Sequence, residues 1–578
     1  MTEQTKTPTG LDGGTEPSAV KVKPFTQSVP QAGQSGKNSY EVPEPDNVAE
    51  EIGSAPAFLV PEETKAAWLK ALGKNTDKMV DVAENGSVAL APVPAGQTVL
   101  SIAPVEWLGT NMMIYVPEKG HWASAEALLT QVLTEFAPTL KLTFGLPQVR
   151  QIIDHAKVLT PGYLLTDQPN RAEIDAKTWD ARPYITFENG DLYVPTMQLG
   201  VHAADHRTTW HVPFDWDPKA TSTKLDQFLE SAIPDAISRK NLLAFIGYSL
   251  AKFDTSQHQF MYLLGSGRNG KSLLLKLITR ALGPHWSNVS LGKLTTSKFA
   301  ASSLVSSVLN LVGDQDAVFL ASTELIKEYS GFDAIDVERK FRDSYPYIAK
   351  TKFMFAVNEL PRTRDTSYGF FRRPLIVEFP RRFAQNPDYE DSLLGDDQVV
   401  RALLVQSITA YQEMRDHKGF WIEGRVQELL DEYRSENDVV FAAVQDGLLL
   451  PDAEHHILPW ALTPIINLFA NERENQKLSQ SQILKKLKNA GIAIEKKRES
   501  HGHREWYLTG ITADPMQFSR LIHRSGIYNP DGTETVVVGG KRYSVPELFD
   551  AWGIDDPAKE IRDPDIAQAM QEGGSARI

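Results

Sequence analysis

Residues 261–278 read Met261-Tyr-Leu-Leu-Gly265-Ser-Gly-Arg-Asn-Gly270-Lys271-Ser272-Leu-Leu-Leu-Lys-Leu-Ile278. An apolar run enters a glycine-rich turn, and a second apolar run leaves it and stops at Gly283-Pro284. The order is strand, turn, helix, and the turn fits the phosphate-loop pattern without a mismatch. Glycines let the backbone of Gly265, Ser266, Gly267, Arg268, Asn269 and Gly270 wrap closely, so that successive N–H groups and the helix N-terminus face an anion. Lys271 is then expected to bridge the β- and γ-phosphates of ATP, and Ser272 to hold Mg²⁺. Such a loop alone does not distinguish a kinase, a GTPase or a motor.

The sequence downstream narrows the choice. Further apolar runs lie at Val308–Val312, Phe353–Val357 and Leu375–Phe379, separated by helix-length segments. That spacing predicts an α/β sandwich with a mainly parallel sheet. The run at 308–312 ends in Gly313-Asp314-Gln315-Asp316, which puts carboxylates at a strand's C-terminal edge. Asp314 is the expected metal-side acid, with Asp316 in reserve or polarising the attacking water. The next strand runs into Asn358, a polar group suited to orienting water or sensing the γ-phosphate. Arg372-Arg373 precede the last strand, and an arginine supplied across a subunit boundary stabilises charge on a transferring phosphoryl group.

With these motifs in order, residues 189–512 resemble the superfamily 3 helicases of the phage, plasmid and poxvirus primase-helicase type. The shared features are the Gly-x-Gly-x-Asn-Gly-Lys-Ser loop, the preceding Gly247-Tyr-Ser-Leu250, a hairpin segment at Ile326–Phe341, Asn358-x-x-Pro361 and Arg372-Arg373. Two departures stand out: Ser330-Gly-Phe-Asp333 where Gly-Gly-Asp is usual, and Gly313 where relatives often carry a second acid. The resemblance implies an AAA+-like P-loop ATPase core, a homo-hexamer on single-stranded or forked DNA, 3′–5′ movement, and other replication proteins as partners. It makes Asn358 the sensor, Arg373 or Arg372 the finger, and Lys340 and Phe341 the pore-hairpin contacts to phosphate and base. The alternative function is an origin-binding initiator or loader with little unwinding. A small-molecule kinase would need neither the hairpin segment nor the arginine pair.

A chain of 578 residues suggests several domains. It has no cysteine, which excludes disulfide scaffolds, thiolate zinc sites and cysteine nucleophiles. No apolar run is long enough to span a bilayer and there is no secretory signal, so the expected location is the cytoplasm, that of a bacterial host if the chain is phage-encoded. The net charge of −14 weighs against extensive nucleic-acid coating but permits local basic contacts.

Residues 1–50 are too polar to offset their ordering entropy and read as disordered. Residues 51–205 read as an α+β region without evident chemistry, and 206–255 as a helical oligomerisation region. The ATPase domain is placed at 256–385 and a helical region at 386–450. Residues 455–512 read as a winged-helix-like DNA-binding module, and 513–578 as a weakly ordered tail. The fold class expected is therefore α/β, an AAA+-like core preceded by a helical region and followed by a winged-helix-like module. Within 477–504, eight Lys/Arg stand against two Glu, and Lys485, Lys486, Lys496 and Lys497 are the expected DNA contacts. Phe214-Asp-Trp-Asp-Pro218 resembles a two-metal acidic motif but lacks companion ligands. His455-His456 and His501/His503 lack partners at ligand spacing, so no zinc is expected there.

Overall fold

The computed structural model describes residues 60–140, 145–162, 171–296, 300–305, 307–315, 320, 322–339, 342–473, 477–490, 492, 494–498, 506–528, 533–538 and 540–557. Its centre is a sheet of five strands: β1 (Phe260–Leu264), β2 (Trp286–Ser287), β3 (Leu309–Gln315), β4 (Lys352–Val357) and β5 (Pro374–Glu378). Their order is β2-β3-β4-β1-β5, and every neighbouring pair is parallel. Four of the five coincide with apolar runs in the sequence. The two-residue β2 is too short to show a period.

Side chains alternate between two cores, as the two-residue strand period requires. Met261, Leu263, Met354, Ala356, Leu375 and Val377 face one core, while Phe260, Tyr262, Phe353, Phe355 and Ile376 face the other. Burial on both faces is why these strands read as continuous apolar runs.

Helices cover the first face. Helix α1 (Thr223–Ala232) is capped by Ser222, and α2 (Ala236–Leu250) by Asp235, whose carboxylate accepts from Ser238 N at 2.6 Å. Helix α3 (Lys271–Leu282) follows β1 and α5 (Asp397–His417) packs along α2, whereas α4 (Glu324–Gly331), which follows β3, packs into the other core through Ile326 and Tyr329. The Gly-Tyr element lies at this α2–α5 contact. A Cβ on Gly247 would fall 2.0 Å from the Ser407 carbonyl oxygen, so only glycine lets the two backbones meet. Tyr248 is buried beside it and donates its hydroxyl to the Gln257 carbonyl. Helix α2 has an apolar surface on nearly all sides and is buried within its own chain.

The N-terminal region is α+β, as expected. Its helices, among them Ala125–Phe136 and Leu146–Leu159, pack with the antiparallel strands Val105–Leu108, Asn111–Val116 and His121–Ser124 around Ile114, Leu129 and Ile152. The opposite side of those strands sends Leu108, Met113, Tyr115 and Trp122 into the aromatic core below the central sheet.

At the other end, strand Leu449–Ile457, helices α6 (Pro459–Glu472) and α7 (Gln480–Asn489), and the hairpin Glu495–Arg498/Trp506–Ala513 pack around one core. The weakly ordered tail needs correction. Helix Pro515–Arg524, a three-stranded antiparallel sheet over 526–544 and helix Val545–Trp552 continue the same core through Phe518, Val536, Leu548, Phe549 and Trp552. Each of those anchors is buried. Residues 1–59 and 558–578 lie outside the described residues, and with them the expectation of disorder at 1–50. Among the described residues no helix is long and apolar enough to cross a membrane.

Three buried lysines pin the start of β4. Lys350 donates to the carbonyls of Ala176 (2.7 Å), Trp179 (2.9 Å) and Asp180 (2.9 Å). Lys352 donates to the Asp254 carbonyl at 2.8 Å and lies over the Tyr248 ring. Lys252 pairs with Asp180 at 3.1 Å. Burial pushes Lys350 down to about 8 and Lys352 down to about 7.

Two outcomes follow from this packing. Gly247→Ala should cost about 1–3 kcal/mol by forcing α2 and α5 apart, measured by chemical denaturation. The depressed Lys352 means the unfolded chain binds more protons than the folded one between pH 7 and 10.5. Stability should therefore rise with pH across that window, and Lys352→Met should reduce the slope in thermal melts taken at successive pH values.

Candidate nucleotide site

The glycine-rich turn leaves β1 at the carboxyl edge of the sheet, and local chemistry dictates its shape. Gly267 (φ +80°) and Gly270 (φ +92°) adopt left-handed backbone that side chains disfavour. Gly265 donates its N–H to Val357 O at 3.1 Å, tying the turn to the end of β4. A Cβ on Gly265 would fall 2.7 Å from Phe379 O. Asn269 braces the turn from inside, its amide donating to Phe379 O at 3.4 Å while its Oδ1 accepts from Lys271 N at 3.4 Å.

Lys271 opens α3 and is buried. Its ammonium donates to the Gly265 carbonyl and, at 3.4 Å, to Asn358 Oδ1. Two residues far apart in sequence, both singled out by motif, thus meet because β1 and β4 are neighbours. Ser272 lies half-buried one residue on. The acidic strand is adjacent to β4. A bulge between Val312 and Gln315 interrupts its pairing, and Gln315 sits opposite Val357. The backbone of Asp314 is therefore on the same edge. Its side chain, and Asp316 altogether, lie outside the described residues.

Arg382 is a residue that motif reading missed. It donates to Ser266 O at 3.1 Å and to Ser266 Oγ at 3.2 and 3.4 Å. The available signal was the Arg381-Arg382 pair just after β5, the strand flanking β1. Phe383 N donates to Arg268 O at 2.8 Å, so this segment runs along the turn.

The arginine pair divides. Arg373 is buried and spends its guanidinium within its own chain, donating to Ser330 Oγ at 3.1 Å, to Gly369 O and to Lys327 O at 3.4 Å. Ser330, a departure from the family pattern, is thus a partner of Arg373. Arg372 is exposed, with His258 Nδ1 at 3.4 Å. Burial, with the neighbouring cations Arg372 and Arg373, lowers the His258 pKa. Of the two arginines, Arg372 is the one able to reach another molecule.

The hairpin segment forms α4 and then the strands Ala334–Arg339 and Arg342–Ile348, but Lys340 and Phe341 lie outside the described residues. Among the expected DNA contacts, Lys485 and Lys496 are exposed, and Lys496 lies 4.9 Å from the Trp506 ring centroid. Lys486 is corrected. It is held between Asp438 (3.2 Å) and the Thr366 hydroxyl, facing the central body. The Lys497 side chain is outside the described residues. Asp215 pairs with Arg401 and Asp217 accepts from Lys219 N, so these acids serve a loop.

Residues 147–234 match a family described as D5 N terminal like, and residues 263–373 match a family of unknown function, DUF5906. A putative helicase L207/L206 of Acanthamoeba polyphaga mimivirus is 25% identical over 185 residues, 31% of this chain and 19% of that protein. A putative primase C962R of African swine fever virus is 24% identical over 236 residues, 37% of this chain and 24% of that protein. The chain thus spans about a quarter or less of the length of these relatives. An apo structure of the NrS-1 C terminal region aligns at 10% identity with a TM-score of 0.35, covering 52% of this chain and 77% of that one. The two family segments and the viral relatives bear out the resemblance to the phage and viral primase-helicase family.

The split between the arginines is measurable. Arg373→Met should cost about 1–3 kcal/mol, because it leaves buried acceptors without their donor. Arg372→Met should stay within about 0.5 kcal/mol of the parent. Urea denaturation of both variants checks this.

Proposed function

We propose that the chain is an ATP-dependent DNA helicase of the superfamily 3 type, working as a homo-hexamer with an AAA+-like core and 3′–5′ polarity in phage or mobile-element replication. The observation that carries this reading is the meeting of Lys271 and Asn358 beside the glycine-rich turn, with the Asp314 strand next to them on one sheet edge. An ammonium that now bonds a carbonyl and an amide oxygen would exchange them for phosphate oxygens. Asn358 would then be released to sense the γ-phosphate or orient water.

The donor set suits Mg²⁺, a hard cation that takes oxygen ligands: the Ser272 hydroxyl at a helix start and the Asp314 carboxylate at a strand end. Bound there, Mg²⁺ would neutralise charge on the phosphates. The remaining work falls to the chain: the turn's N–H groups cradle phosphate, Lys271 and Arg382 add positive charge, and Asp314 or Asp316 polarises water. Arg372 of a neighbouring copy would supply the trans cation. Lys340 and Phe341 on the hairpin, with Lys485, Lys496 and Lys497 on the C-terminal module, would contact DNA.

A second reading is an origin-binding initiator or loader. The winged-helix-like module with exposed Lys485, Lys488 and Lys496 favours it. Forked duplexes with single tails of each polarity separate the two. Strand displacement from the 3′-tailed fork is expected, whereas ATP-dependent DNA binding without displacement supports the loader. Lys271→Ala should reduce DNA-stimulated ATP hydrolysis to background in a phosphate-release assay, and normal turnover in that variant would defeat both readings.

A further inference from the structure

Away from the nucleotide site, three histidines from distant parts of the chain meet in the interior. His121 opens the strand His121–Ser124 of the N-terminal region. His211 lies in the segment that leads to α1, and His285 stands between α3 and β2. All three are buried. His121 stacks on His211 with ring centroids 4.6 Å apart, and His285 meets both edge-on. One ring nitrogen from each lies within 4.8 Å of the other two. His285 Nε2 and His211 Nδ1 are 3.3 Å apart.

We propose that His121, His211 and His285 bind one Zn²⁺ ion, which ties the N-terminal region to the parallel-sheet core. Zinc–imidazole bonds of about 2.0–2.1 Å in a tetrahedron put donor nitrogens about 3.3 Å apart. The His211–His285 pair has that spacing already, and small side-chain rotations bring His121 in. A hydrogen bond accounts for that pair, while His121, whose Nδ1 lies 3.4 Å from the Lys119 carbonyl oxygen, adds a third ring nitrogen to the same cluster.

The surroundings favour metal. Imidazole is a common zinc ligand, and all three rings are shielded from bulk water. The Glu188 carboxylate lies 3.6 Å from His211 Nε2, the nitrogen not aimed at His285, and is bonded by Lys119 at 2.7 Å. A carboxylate behind a ligating histidine fixes its orientation and raises its basicity.

His121 and His285 also line a cavity of about 580 Å³, together with Asn111, Trp122, Thr209 and Trp286. The fourth coordination position thus opens on a space large enough for water or a small ligand. The site is separate from the nucleotide turn, because His285 follows the C-terminal end of the 12-residue α3 and Lys271 begins it. That length is about 18 Å of helix.

The test uses the full chain without an affinity tag, stripped with chelator and titrated with Zn²⁺ against a chromophoric competitor. One tight equivalent per chain is expected, with a rise in melting temperature that chelation reverses. Co²⁺ in its place should give the visible bands of a four-coordinate ion. Zinc-edge absorption spectroscopy on the parent should report imidazole nitrogens at about 2.0–2.1 Å. His121→Gln and His285→Gln should each weaken binding at least a hundredfold, while His455→Gln leaves it unchanged. Circular dichroism identifies variants that fail to fold, for which the parent's spectra decide. No stoichiometric zinc in the parent, or a coordination shell without imidazole, overturns the proposal. So does tight binding that survives both substitutions in folded protein.

Discussion

The three residues Lys350-Thr351-Lys352 carry more of this structure than any glycine or acid in the motifs. They lead into β4, whose first residue is Lys352, and each is bonded to a different segment. Lys350 grips carbonyls at 176–180, Thr351 donates to Leu304 O (2.7 Å) and Ser307 O (3.0 Å), and Lys352 grips Asp254 O. Buried ammonium groups are costly unless fully bonded, so the carbonyls they meet have little freedom to move away. Six residues beyond Lys352, at the other end of the same strand, stands Asn358. The clamp anchors one end of β4, and Asn358, just beyond the other end, meets Lys271.

That clamp was invisible in the sequence, although the site it supports was largely legible. A phosphate-loop pattern is local. Its glycines, its lysine and the flanking apolar runs fall within twenty residues, so β1, the turn and α3 could be read directly. The strands of a sheet buried on both faces also announce themselves as unbroken apolar runs. What escaped depends on distance along the chain. Lys350 and Lys352 look like ordinary surface cations until the carbonyls from 176–180 and 254 arrive. Arg373 looks like an exposed finger until Ser330 and the Lys327 carbonyl surround it. Lys486 reads as a basic face until Asp438 is packed against it. The C-terminal segment 513–557 reads as a polar tail by composition, yet Phe518, Leu521 and Ile522, and then Val545, Leu548, Phe549 and Trp552, stand at helical spacing. Both helical stripes turn inward and meet in one complete core.

The arginines sharpen the picture of the candidate site. Arg373 holds α4 against the turn before β5, and α4 leads straight into the hairpin Ala334–Ile348. Its neighbour Arg372 points outward. On the helicase reading, one dipeptide joins two tasks: the buried arginine fixes the base of the hairpin, and the exposed one probes the adjoining subunit. A change in Arg372's partner would then reach the hairpin through a single backbone step. Arg382, bonded to Ser266, adds a cation from the same chain and links the end of β5 to the turn.

The N-terminal region gains a physical definition from these contacts. Sequence composition put a boundary near residue 205, yet the D5 N terminal like match spans 147–234 and crosses it. The structure explains why no boundary belongs there. Asp180 pairs with Lys252 and bonds Thr209, Trp122 N donates to Thr208 O, and His211 stacks on His121. Each contact joins a residue before 205 to one after it, and most are buried. A domain edge falls where few contacts cross, whereas here the crossing contacts include two buried lysines and a histidine cluster. Residues 60–205 are therefore a built-in wall of the parallel-sheet core, and whatever binds in the cavity between them acts on the same body that holds Lys271 and Asn358.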